Sequence, residues 1–120
     1  MYLATLEIDN FRNLDRMKLS FHEHCNYLIG ENSIGKTNLL DLIRIMTSGQ
    51  RLVAGDFFDI VKPVKVRLEI VVSPHEELPR LLTKAVKNGR IWLEWEQISV
   101  AAKPRLYEVL TTSARRSVPL

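Results

Sequence analysis

Gly30-Glu31-Asn32-Ser33-Ile34-Gly35-Lys36-Thr37 is the stretch on which the reading of this 120-residue chain turns. It fits G-x-x-x-x-G-K-[ST], the pattern of a loop that cradles the phosphates of a nucleoside triphosphate. Glycine lets the backbone turn tightly and approach a phosphate with no Cβ in the way, and the N–H groups of such a loop converge as an anion nest. Lys36 would bring positive charge to the β- and γ-phosphates, and Thr37 a hydroxyl to Mg²⁺. The pattern carries weight only between an apolar strand and a helix. The flanks read as both: residues 25–29 as a short apolar strand ending at Gly30, residues 36–47 as a helix. ATP and Mg²⁺ are the expected ligands. The alternative is a glycine-containing strand-to-helix turn that binds nothing.

Outward from the loop, Leu39, Leu42, Ile43 and Met46 recur at helical spacing, and Leu40 and Ile45 widen the stripe. Such a helix is expected to be covered on more than one side. Only Asp41 and Arg44 call for water, and Gly49 is placed to end the helix. Upstream, residues 2–9 set Leu6 and Ile8 against Glu7 and Asp9. Residues 16–21 set Met17, Leu19 and Phe21 against Lys18 and Ser20. With the turn Asn10-Phe11-Arg12-Asn13 between them, they predict an antiparallel hairpin.

Downstream, residues 50–62 read as irregular. Pro63 then opens the clearest strand, with Val64, Val66, Leu68, Ile70 and Val72 opposite Lys65, Arg67 and Glu69. Ser73-Pro74-His75-Glu76 resembles a capping box with proline at the first helical position. Leu78, Leu81, Leu82, Ala85 and Val86 continue a helical stripe until Asn88-Gly89. Pro79 demands a kink or a later start. Residues 90–98 alternate with Ile91, Leu93 and Trp95 on one face, residues 106–111 read as a last strand, and residues 113–120 as a flexible tail. The expected architecture is one α/β domain over residues 1–112, a largely antiparallel sheet beside the phosphate loop and its helix.

Composition bounds the function less tightly. Hydrophobic residues make up 46% and charged residues 26%, ordinary for a globular protein. A net charge of +3 is scattered, so it is compatible with nucleic acid without pointing to it. The single cysteine, Cys25, cannot form an internal disulfide. There is no secretory signal and no apolar run of about 18 residues, so a cytoplasmic protein with no membrane partner is expected. His22-x-His24-Cys25 lacks the spacing of a zinc motif and reads as strand-end exposure. Trp92 and Trp95 fall on opposite faces of their strand, one of them in the core. Arg115-Arg116 could touch nucleic acid but reads as a solvated tail.

The turn Phe11-Arg12-Asn13 and the run Gly30-Glu31-Asn32-x-x-Gly35-Lys36-Thr37-Asn38-Leu39-Leu40 together resemble the ABC-type ATPase heads of the RecF, SMC and OLD (overcoming lysogenization defect) proteins. The middle Ser33-Ile34, the run Asp56-Phe57-Phe58 and Lys62-Pro63-Val64 look OLD-like, the branch that includes the ATPase-nuclease of the Gabija anti-phage system. The similarity is specific over residues 1–48 and loose from 49 to about 112. It implies that Gly30, Glu31, Asn32, Ser33, Ile34, Gly35, Lys36, Thr37 and Asn38 hold the triphosphate and Mg²⁺, and that Arg12 and Asn13 lie beside the nucleotide. Without the family, Arg12-Asn13 reads as a solvated hairpin turn.

The departures from that family are as informative. A Walker B strand, four apolar residues followed by an acidic pair that serves Mg²⁺ and water, has no counterpart. Ile91-Trp92-Leu93-Glu94 is the nearest imitation and alternates like a sheet strand. Signature loop, Q-loop, switch histidine and Toprim nuclease carboxylates are missing too. No residue is therefore assigned to catalysis. The chain is expected to be the N-terminal lobe of a larger ATPase of DNA repair or antiviral defence. Such a lobe binds ATP, hardly hydrolyses it alone, and forms homo- or hetero-oligomers through the head, with DNA reached by the complete protein. The alternative is a non-catalytic nucleotide-binding partner or regulatory subunit. An ABC transporter ATPase fits the loop but not the Phe11-Arg12-Asn13 turn.

Overall fold

Strands that alternate apolar and charged residues bury one face and leave the other wet, and that rule builds this molecule. A computed structural model describes residues 2–21, 33–75, 77–78, 83–110 and 114–118. Its elements are β1 (Tyr2–Asp9), β2 (Met17–Ser20), α1 (Ser33–Ser48), a 3₁₀ turn (Ala54–Asp56), β3 (Val64–Val71), β4 (Arg90–Gln97), β5 (Arg105–Val109) and β6 (Arg115–Val118). The strands form one six-stranded sheet in the order β2-β1-β3-β4-β5-β6, antiparallel at every junction. β3 pairs with β1 rather than β2, so the chain between them, which includes α1, returns across the sheet.

Register places the apolar positions on one side. Leu6 faces Leu19 and Leu68, Ile8 faces Met17 and Val66, and Val66 faces Trp95. Onto that side pack Leu39, Leu42 and Ile45 of α1, with Phe11, Leu14, Leu52 and Phe57 closing the core. Burying one such side chain contributes about 2 kcal/mol before entropy is counted. A second apolar group gathers Val72, Ala85, Ile91 and Leu93. The stripe on α1 that meets the sheet is narrower than the sequence implies: Leu40 and Ile43 are exposed, so the helix is covered on one side. Among the described residues, no helix is long and apolar enough to cross a membrane.

Several boundaries differ from expectation. The helix begins at Ser33, three residues earlier than read, because Gly35 weakens a first turn without breaking it. It ends where expected, at Gly49, whose φ of 73° is the left-handed cap that glycine accepts. Residues 115–118, read as tail, form β6, held by pairing to β5 and by the Arg115 side chain rather than by any apolar alternation. No helix opens at the Ser73 capping pattern: Pro74 and His75 turn, and Glu77 and Leu78 have no regular structure. Pro79 to Leu82 and Glu76 lie outside the described residues, whereas Thr83 is helical. Asn88 (φ 53°) and Gly89 (φ 72°) make a two-residue turn between Lys87 and Arg90, the geometry that Asn-Gly favours.

Candidate functional site

The turn after β1 is built on backbone conformations that need support. Asn10 (φ 68°), Arg12 (φ 50°) and Arg16 (φ 54°) are all left-handed, uncommon for residues with a side chain though least so for asparagine. Asn10, almost wholly buried, supplies the support. Its Nδ2 donates to the carbonyls of Asp59 (2.9 Å), Lys62 (2.8 Å) and Pro63 (3.3 Å), and its Oδ1 accepts from the Asp59 N–H at 2.6 Å. The loop before β3 is thus moulded around one amide. Phe11 is fully buried and bridges Leu14 and Phe57. With its neighbours pinned, Arg12 is directed toward α1.

The Arg12 guanidinium joins three elements. Nε donates to Asp56 Oδ1 at 3.0 Å, and Nη2 lies 2.9 Å from the same oxygen. Nη1 donates to Asn38 Oδ1 and to Asp41 Oδ2, both at 2.8 Å. Asn38 in turn donates through Nδ2 to Asn13 Oδ1 at 2.6 Å. Asn38 and Asp41 are one turn apart on α1 and share a face. Asp56 also accepts the Val53 N–H at 2.9 Å, and its carbonyl accepts the Arg12 N–H at 2.8 Å. The guanidinium lies 4.9 Å from the centre of the Phe11 ring. These partners keep Arg12 charged: the hydrogen bond to Asp41 raises its pKa most, against the cost of burial, and Asp56 adds to the rise. The same hydrogen bond from Arg12 holds the Asp41 carboxyl below its ordinary 3.8, and Arg44 assists.

Other expected site residues are placed less fully. Ser33, Ile34, Gly35 and Lys36 form the first turn of α1, and their side chains lie outside the description. Gly30, Glu31 and Asn32 lie outside the described residues, as do residues 25–29, His22, His24 and Cys25. Thr37 is exposed on α1. Asn38 is brought together with Arg12 and Asn13. Yet the side chains of all three are engaged with protein groups. Asp41 and Asp56 belong to this cluster and were missed; the acidic residue that interrupts the apolar stripe of α1 was the available signal.

The opposite face of the sheet carries charge. Arg67, Glu69, Trp92, Glu94 and Arg115 line a concavity of about 620 Å³ there. Arg115 bridges Glu94 (3.5 Å) and Glu96 (3.0 Å), both buried, and lies 3.8 Å over the Tyr107 ring. The hydrogen bond to Glu96 is what raises its pKa most. Lys65 stands 3.5 Å from Glu96. Trp95 is the core tryptophan and Trp92 belongs to this outer face. Ile91-Trp92-Leu93-Glu94 lies in the middle of an antiparallel ladder, as an ordinary sheet strand does.

Comparison with known proteins gives this geometry its context. The chain is 42% identical over 62 residues to the DNA replication and repair protein RecF of Caldanaerobacter subterraneus subsp. tengcongensis, covering 52% of this chain and 17% of that protein. It is 51% identical over 43 residues to RecF of Lactobacillus johnsonii, covering 36% and 12%. For RecF of Oceanobacillus iheyensis the figures are 40% over 47 residues, 39% and 13%. The matched part is therefore less than a fifth of each relative's length. The AAA ATPase domain family matches residues 1–94, which takes in the hairpin, residues 30–37, α1 and most of the sheet through Glu94. By that match, the chain belongs to the AAA ATPase domain family.

Proposed function

We propose that this chain binds ATP with Mg²⁺ through residues 30–37, as the N-terminal lobe of a RecF-like ATPase that works in DNA metabolism. The observation that carries the reading is the phosphate-loop sequence running into α1 inside a region that matches an ATPase domain family. Gly30, Glu31, Asn32, Ser33, Ile34 and Gly35 supply backbone N–H groups to the phosphates, Lys36 neutralises them, and Thr37 presents its hydroxyl to Mg²⁺. The curated relatives are named as DNA replication and repair proteins, which supports DNA as the substrate of the complete protein. Ile34-Gly35-Lys36-Thr37-Asn38 and Asp56-Phe57-Phe58 favour an OLD-like head of the ABC type, and with it a role in anti-phage defence.

Hydrolysis by this chain alone is expected to be very slow, since its sequence offers no acidic pair at the end of an apolar strand. The exposed Leu40 and Ile43 on α1 support assembly through the head, with a second copy or a longer partner.

The test is equilibrium binding of a fluorescent ATP analogue with Mg²⁺ to the wild type and to Lys36→Ala, alongside phosphate release. Binding that drops at least about tenfold in the variant, with no turnover in either, is the expected result. Equal binding by both proteins removes the loop from the site. Robust multiple turnover by the wild type would show that the chain is catalytically complete and overturn the lobe reading. Binding without turnover even after a full-length head is added favours a regulatory nucleotide-binding subunit.

A further inference from the structure

Arg12 stands at a polar junction of three elements. A guanidinium has five N–H donors. Here Nε and Nη2 are directed at Asp56, and Nη1 at both Asn38 and Asp41. Those partners stand on separate pieces of chain: α1 carries Asn38 and Asp41, and the 3₁₀ turn carries Asp56. Both are also far from Arg12 in sequence, between 26 and 44 residues away. Apolar packing of Leu39, Leu42 and Ile45 sets the distance of α1 from the sheet and the face that it turns inward, but such packing is non-directional and restrains sliding along the helix axis less. A planar fork that must meet two carboxylates and an amide oxygen fixes what the packing leaves free.

We propose that Arg12 is a positioning residue that acts through Asp41 and Asp56 to fix α1 against the hairpin and the 3₁₀ turn, and so sets where Lys36 and Thr37 are presented; it is not a ligand of the nucleotide. This rests on the nucleotide-binding reading above. It replaces the role that resemblance alone gave to Arg12. The two roles predict different things because a direct contact is lost whenever Arg12 is lost, whereas a brace is already weakened once one of its acceptors is gone. The Asn13 side chain belongs to the same brace through Asn38.

The experiment is a double-mutant cycle on Mg²⁺–ATP analogue affinity with Arg12→Ala, Asp41→Ala and the pair. A brace gives a loss of about tenfold for Arg12→Ala alone and a clearly smaller one, about threefold, for the same change in the Asp41→Ala background, where Asp56 and Asn38 still hold the guanidinium. An undiminished loss in that background overturns the proposal and returns Arg12 to the nucleotide. Amide hydrogen exchange of the nucleotide-free proteins supplies the second arm. Exchange should quicken in α1 and residues 53–58 well beyond the common acceleration that lower global stability brings to β3 and β4. Uniform acceleration or none would mean that Arg12 serves global stability or nothing, and overturns it as well. If the wild type binds no nucleotide, the function reading fails and the nucleotide half of this proposal falls with it. Exchange then decides separately whether the brace exists.

Discussion

Arg12 and Arg115 make nearly the same chemical arrangement in two regions of the molecule. Each guanidinium lies against an aromatic ring, Phe11 or Tyr107, and each bridges two acidic side chains. What they connect differs. Arg115 reaches from β6 over β5 to Glu94 and Glu96 of β4, strands that backbone ladders already hold in register. Arg12 connects the hairpin turn, α1 and the 3₁₀ turn, which share no ladder; the Arg12 and Phe58 N–H groups give the only backbone hydrogen bonds described between that turn and residues 54–58. The lesson is that an ion pair matters in proportion to the absence of other constraints on the elements that it joins, and its own geometry is a poor guide.

The largest effect expected from this contrast is on stability. Arg12→Ala leaves the buried Asp56 carboxylate without its cation and should cost about 2 kcal/mol in urea unfolding. Arg115→Ala leaves Glu96 with Lys65 and should cost about 1 kcal/mol. Equal or inverted costs would break the comparison. A smaller effect sharpens it. The Arg115→Ala loss should shrink in a Glu94→Gln background, because Glu94 Oε1, which has no hydrogen-bond partner among the described residues, no longer sits as a buried unpaired charge. An unchanged loss would point to the packing of Arg115 on Tyr107 instead.

The smallest effect is on acid sensitivity. Asp41 is more acidic in the folded protein than unfolded, so its contribution is present above the unfolded value of 3.8 and is lost as pH falls through the lower folded one. Between neutral pH and about pH 3, the wild type should therefore lose more stability than Arg12→Ala, which keeps only the weaker influence of Arg44 on Asp41. Parallel curves for the two proteins would remove Asp41 from the cluster's energetics.

Much of this fold could be read from the chain. β3 is legible because Val64, Val66, Leu68 and Ile70 repeat the period of two that a half-buried strand imposes, and α1 because Leu39, Leu42 and Met46 repeat the helical one. β6 was not legible, since Arg115, Arg116 and Ser117 carry no apolar period and owe their place to β5 and to Glu94 and Glu96. The same holds for the candidate site. Lys36 and Thr37 declare themselves through local spacing. Asp41 and Asp56 acquire their meaning from Arg12, 29 and 44 residues away, and no local pattern encodes a partner at that range. Glu94 and Glu96 lie on the charged face of β4 and are nevertheless buried, because Arg115 covers both and Lys65 stands beside Glu96.

β1 carries one irregularity in its pairing with β3. Leu3 pairs with Ile70 and Thr5 with Glu69, so Ala4 is an extra residue in the ladder, and its carbonyl accepts the Phe21 N–H at 2.9 Å instead. The alternation of β1 therefore changes phase at Ala4. Leu3 packs against the core, although Thr5 and Glu7, on the same odd count, lie on the charged face. A uniformly alternating strand can slip by two residues and still keep its apolar side inward. In β1 the extra residue supplies a one-residue shift between the two halves, which turns Leu3 to the core side where an unbroken alternation would have turned Ala4. The bulge thus works as a splice, joining two runs of opposite phase so that Leu3, Leu6 and Ile8 all face the same layer.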